Sequence, residues 1–459
     1  MSALLCIHDA QLVTADAVRP GGVLVDADGR IEALLADGER ASAQTTIDAA
    51  GRALFAGFID GHVHMRDPGF PAKEDFASGT TAAAIGGVTT VLCMPNTAPA
   101  VRDRARLEAA RAAAAGKSFV DYGFQAAAAP DNLQALEGLW AEGVVSFEAL
   151  FSDGPPEDLF DSDEALFAVL AEIARIDALI GIYTGDQAAT TRRIEALRET
   201  GRQDAMAYVE ARAPELEVSG LKRLLRVAGF ALPRLLARQV SSEHGLACIA
   251  DARKMRPELQ LAVEVTPHHL HLDTTAVERH GAFALMAPPL RPASDAAAAR
   301  AALAAGLVDV IGSDHAPHAA EEKRATDVWQ VPGGTPGLDT VAPALLDLAV
   351  AGAIPLTRVA AVLAESPARL FGLADRKGFL RPGADGDLVM VDLETRRTVT
   401  AEDVHSRAGR SPFQGMTLCG WPVLTVLRGR VIAAAGRLAV DAPTGRQLLR
   451  EGAISGSQA

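Results

Sequence analysis

Residues with chemical potential concentrate in residues 53–69, ALFAGFIDGHVHMRDPG. An apolar run ends in Asp60, and His62, His64 and Arg66 follow at alternate positions. Side chains two apart on a strand share a face, which would set both imidazoles and the guanidinium on one side. Two neutral imidazoles side by side suit a divalent transition metal, with zinc the default. The planar fork of Arg66, just beyond, suits an anionic group. Asp314, in SDHAPH at 313–318, ends another apolar run, VDVIG. A carboxylate there can ligate a metal and take a proton from an attacking water, then pass it to a leaving nitrogen. Asn96, in the MPNT stretch 94–97, offers an amide that both donates and accepts, as a carboxylate or ureide edge requires. Each signal has a plainer reading: solvated histidines at a strand end, a helix N-cap at Asp314 and a turn residue at Asn96.

Both motif ends follow buried-looking strands, and the chain between them alternates. Candidate strands fall at 54–59, 88–94, 119–126, 144–151, 179–183, 234–240, 261–265 and 308–313. Stretches such as 102–115, 164–175, 215–228 and 296–305 carry helical spacing rich in Ala, Leu, Arg and Glu. Strands alternating with helices favour a (β/α)8 TIM-type barrel, whose chemistry sits at the C-terminal ends of its strands. No Gly-x-Gly-x-x-Gly follows the first strand, so dinucleotide binding has no support. The two ends of the chain have another texture. Residues 1–52 read as short strands of a small antiparallel sheet, and about 377–440 looks the same. The expected organisation is a barrel over 53–376 and a small β-sandwich domain built from 1–52 and 377–459, ending in a frayed tail, EGAISGSQA.

Bulk properties narrow the partners. A formal charge of −14 argues against nucleic acid, which wants a basic surface. No apolar run reaches the length of a membrane span, and the start, MSALLCIHDAQL, lacks the layout of a signal peptide. Cys6, Cys93, Cys248 and Cys419 are widely spaced without CxxC pairing, as expected of reduced thiols in a cytoplasmic protein.

DGHVHMRDPG, MPNT at 94–97, VTPHHL at 265–270 and SDHAPH at 313–318 together resemble the cyclic amidohydrolases. Within them the chain is most similar to dihydroorotases, with hydantoinases and allantoinases as near relatives. The resemblance spans nearly the whole chain and implies the barrel with a β-domain from both termini. It implies that Asp314 is both ligand and base, and that Arg66 and Asn96 clamp a substrate carboxylate. It also implies that His318 and His268 contact substrate or support the site. His269 reads equally as a structural histidine. A homodimer or homotetramer is expected.

The departures from that family carry as much information. Its members usually build a two-metal site with a bridging carboxylated lysine or aspartate and two further histidines. This chain has 11 histidines, none between His64 and His244. Tyr183 and Gln239 stand where those two histidines belong, and neither a phenol nor an amide is a normal zinc ligand at neutral pH. Glu148 takes the place of the bridging lysine, and Asp153 in FSDG resembles the aspartate alternative. Either is a candidate further metal ligand, and either also reads as a capping or surface carboxylate. Ala287 replaces an asparagine that dihydroorotases carry before Pro-Pro-Leu-Arg, which counts against dihydroorotate itself.

The sequence therefore points to hydrolysis of a cyclic amide, ureide or imide C–N bond on about one zinc ion per chain. The competing class is a non-catalytic, dihydroorotase-like scaffold. Retention of His62, His64 and Asp314 together argues against it, and metal content discriminates the two.

Overall fold

The computed structural model describes residues 2–453. The first strands are β1 (Ala3–Val13), β2 (Val18–Val25), β3 (Ile31–Leu35), β4 (Ala43–Asp48) and β5 (Ala53–Ala56). With β15 (Leu388–Thr398), β16 (Thr417–Leu427), β17 (Arg430–Ala434) and β18 (Arg437–Leu438) they form one nine-stranded sheet. The two ends of the chain meet where β5 pairs antiparallel with β15. The N-terminal part is mixed rather than antiparallel, because β1 runs antiparallel to β2 but parallel to β4 and β5.

The barrel begins at β6 (Phe58–Val63), not at residue 54. The apolar run from 53 is shared between two sheets, and the break falls at Gly57. A Cβ there would collide with Thr89 and Asp387. Parallel neighbours follow in order: β7 (Val88–Cys93), then β8 (Asp121–Phe124) continued by β9 (Ala126–Ala127), then β10 (Phe147–Leu150) and β11 (Leu179–Tyr183). The set ends with β12 (Arg234–Arg238), β13 (Leu261–Val265) and β14 (Val310–Ile311). It closes through a parallel bridge between Val63 and His315, with the His64 amide donating to the His315 carbonyl at 2.8 Å. Helices such as Arg104–Ala114, Asp163–Arg175, Pro214–Ala231 and Ala293–Ala304 occupy the segments that carry helical spacing. This is the (β/α)8 fold with a β-domain.

The barrel interior is divided by depth. Leu92, Val145, Leu179, Leu236 and Val310 pack with Phe371, Leu373 and Leu448 into a small apolar cluster of their own. Nearer the mouth the buried side chains are polar: Gln125, Glu148, Arg238 and Glu264. The segment around 445–451 returns to the barrel, where Leu448 donates to the Tyr122 carbonyl and Glu451 to that of Gly372. The last residues of the expected tail, 454–459, lie outside the described residues. All four cysteines are free. Among the described residues no helix is long and apolar enough to cross a membrane.

Candidate metal and active site

His62 is near the end of β6, and His64 follows it with ring centroids 5.3 Å apart. Asp314 follows β14, on the other side of the seam where the barrel closes. Asp60 ties that seam, its Oδ1 accepting from the His62 amide at 3.0 Å and the Ser313 amide at 3.1 Å. Burial pushes the Asp60 carboxyl up to about 6, and its Oδ2 has no partner. Across the seam, Asp314 Oδ1 lies 3.4 Å from His62 Nε2 and 3.3 Å from His64 Nε2. One ligand atom from each of the three residues falls within 4.8 Å of the others.

The far side of each donor is held. His62 Nδ1 donates to Glu264 Oε1 at 2.7 Å, and His64 Nδ1 donates to Asn96 Oδ1 at 2.6 Å. Because an unprotonated carboxylate or an amide oxygen can only accept, these bonds leave Nε2 of each neutral ring as the lone-pair nitrogen. Gln239 Nε2 donates to Asp314 Oδ2 at 2.7 Å, freeing Oδ1 to face the imidazoles. Two imidazoles and a carboxylate, each oriented from behind, are a donor set suited to a divalent transition metal. The residues fit the ion that the motif implies.

Electrostatics sharpen the fit. Burial opposes charge on Asp314, but the two histidines outweigh it and hold the carboxyl far below its usual range. Burial pulls the His64 imidazole down to about 4. At His62 burial acts in the same direction, yet Glu264 and Asp314 overcome it and raise the pKa. A cation is thus favoured on His62, the role a metal would take over from a proton.

A cavity of about 600 Å³ opens above these groups, lined by Arg66, Asn96, Tyr183, Gln239 and His318 among others. Arg66 does not continue the strand face that its spacing suggested. Its φ is 57°, and its Nε donates to the Pro317 carbonyl at 3.2 Å. Its Nη2 is 3.1 Å from His318 Nε2, and burial lowers the guanidinium to about 10. Burial and the neighbouring cations push His318 to about 2, so it stands neutral. Asp153, Gln239 and Asp314 share the left-handed backbone, at φ 59°, 51° and 46°.

The two further candidate ligands are not brought to the cluster. Both Glu148 oxygens are engaged by Arg238, and Glu148 Oε1 also accepts from Ser146 Oγ at 3.4 Å. Asp153 accepts from Arg212 Nε at 2.8 Å and from the Tyr183 hydroxyl at 3.1 Å. In each case an arginine has taken the carboxylate as its partner. His268 is buried, with an unpartnered Nε2 and a pKa pushed to about 4 by burial. His269 is satisfied, its Nε2 donating to Pro289 at 3.2 Å while Nδ1 accepts from Thr266 at 2.7 Å. His244 is exposed in the helix Glu243–Met255.

Glu264, Arg238 and Gln125 were not singled out from the sequence. The available signal was a charge in the middle of an apolar strand, as in LAVEV at 261–265. Such a residue needs a buried partner, and the chain order does not say which.

Comparison with known proteins agrees with this architecture. Residues 53–432 match the amidohydrolase family. The chain is 31% identical over 450 residues to an L-hydantoinase of Paenarthrobacter aurescens, covering 97% of both chains. It is 33% identical over 432 residues to a dihydroorotase of Methanosarcina acetivorans, covering 93% of this chain and 91% of that one. The solved L-hydantoinase from Arthrobacter aurescens superposes with a TM-score of 0.94 at 31% identity, covering 98% of this chain and all of that one. A barrel closed at a His-x-His and aspartate seam, matched over nearly its full length, makes this chain a member of the amidohydrolase family.

Proposed function

We propose that the protein hydrolyses a C–N bond of a cyclic amide, ureide or imide with one divalent ion per chain, zinc by expectation, held by His62, His64 and Asp314. The observation that carries this reading is the convergence of two Nε2 atoms on Asp314 Oδ1, with Glu264, Asn96 and Gln239 fixing all three from behind. Bound there, the ion would polarise the scissile carbonyl and lower the pKa of the attacking water towards about 7. Asp314 would take the water's proton and deliver it to the leaving nitrogen. Arg66, with His318 beside it, would hold an anionic or strongly polar edge of the ring. Asn96 has given Oδ1 to His64, so its Nδ2 is what remains for substrate. His268, neutral and unpartnered, would assist from the side of Asp314. A cytoplasmic homo-oligomer is the expected setting.

The test joins metal analysis of protein purified without chelators to a screen of hydantoins, dihydropyrimidines, allantoin, cyclic imides and dihydroorotate. One ion per chain and turnover of a ring other than dihydroorotate are expected, given Ala287. Dihydroorotate turned over at a rate and affinity that no other ring approaches would overturn the specificity. A chain with neither metal nor turnover would be the non-catalytic scaffold.

A further inference from the structure

Below the histidines, Arg238 is enclosed at the end of β12, 2% exposed. All five of its N–H groups have partners. Nε and Nη2 donate to the two oxygens of Glu148, and Nη2 also donates to Gln125 Oε1 at 2.7 Å. Nη1 donates to Glu264 Oε2 and to the Gly61 carbonyl at 3.2 Å. Glu264 then uses its other oxygen to accept from His62 Nδ1. One guanidinium thus ties together β6, β10, β12 and β13 and ends one residue short of a proposed ligand. The barrel makes room for it: a Cβ on Gly181 would lie 2.5 Å from Arg238 Nε and 2.5 Å from Glu148 Oε2. Phe371 lies beneath, with its ring centre 5.8 Å from the guanidinium carbon.

Charge counting shows what this arrangement does. Three carboxylates (Glu148, Glu264 and Asp314) bond the guanidinium or face the His62 and His64 imidazoles, while Asp60 beside them is bonded to backbone amides. That is enough donor charge for more than one divalent ion. Arg238 engages two of the three carboxylates, leaving one carboxylate and two imidazoles. We infer that Arg238 is a positioning residue that acts as a fixed internal cation, holding Glu264 against His62 and restricting the site to a single divalent ion. This inference rests on the metal-dependent reading above and deepens it.

Zinc titration of the metal-free chain, with stoichiometry and Kd read by chelator competition, tests it. Arg238→Met frees Glu148 and Glu264, while Arg238→Lys keeps the charge and loses the fork. Wild type is expected to bind one zinc and Arg238→Met two. Arg238→Lys should bind one, about 10–100-fold more weakly, the usual loss when a ligand's supporting partner is disturbed. A folded Arg238→Met with one zinc at wild-type Kd overturns the inference, as does a wild-type chain with two. Should Arg238→Met not fold, an unchanged Kd in Arg238→Lys overturns it equally. Wild type without zinc removes the metal reading itself, a result distinct from one zinc that is indifferent to residue 238.

Discussion

Two buried groups of potential metal-ligating side chains occupy opposite settings in this molecule. At the mouth stand His62, His64 and Asp314, and at the barrel's junction with the β-domain stand Asp121, Asp385 and Asp387. Each brings three ligating atoms within 4.8 Å of one another. At the junction the cation is already present. Lys377 Nζ is 2.6 Å from Asp121, 2.9 Å from Asp385 and 2.6 Å from Asp387, with Arg428 and Arg376 closing the outer sides. Burial opposes the ammonium, but the carboxylates outweigh it and raise its pKa. At the mouth, one arginine bridges the flanking Glu148 and Glu264, and the three inner donors face the cavity. Clustered carboxylates alone therefore do not mark a metal site. What distinguishes the mouth is imidazole donors oriented from behind and no ammonium among them.

The largest effect that tests this contrast is on turnover. Asp314→Asn keeps the shape but cannot accept the proton, so kcat on the best ring substrate should fall by ~10²–10⁴ or more. Asp385→Asn should leave kcat of the folded enzyme unchanged. Comparable kcat losses in the two variants would erase the distinction.

Lys377→Met asks the converse question at the junction. Removing the ammonium leaves buried Asp387 without a cation, while Arg428 and Arg376 still hold Asp121 and Asp385, and losing one partner of a buried pair costs about 3–5 kcal/mol. Denaturant unfolding should register that loss. Stability within about 1 kcal/mol of wild type would mean that the junction cluster is not held by Lys377.

Acid sensitivity should come from the mouth. The unfolded imidazole of His268 titrates near 6.5 and the folded one near 4, so the fold favours the neutral ring. Its contribution is complete above 6.5, falls as pH drops towards 4, and amounts to roughly 3 kcal/mol. Burial lowers His269 still further, in the same direction. Unfolding measured from pH 7 to 4 should show this decline, and His268→Gln should make it shallower by that share, with His64, His269 and His318 supplying the rest. An equally steep profile in that variant would assign the acid loss elsewhere.

The smallest effect concerns the clamp. Arg66→Ala should weaken binding of an anionic substrate by about 1.5–3 kcal/mol, the range for a hydrogen bond to a charged group, with kcat less affected. Unchanged affinity for the true substrate would remove Arg66 from the binding site.

What the sequence determined by itself was the local placement of the three metal-site donors. His62 and His64 are two residues apart on one strand end, and Asp314 follows an apolar strand, so period and position exposed them without tertiary knowledge. The alternation of strands and helices announced the barrel for the same reason. Only the tertiary structure decided the rest. Gly57 divides one apolar run between two sheets because Thr89 and Asp387, distant in sequence, leave no room for a side chain. Glu148 stood as one candidate ligand in the sequence, and folding set Arg238, 90 residues away, against both its oxygens. A buried charge takes the partner that the closed barrel brings to it, and in a barrel that partner comes from another strand.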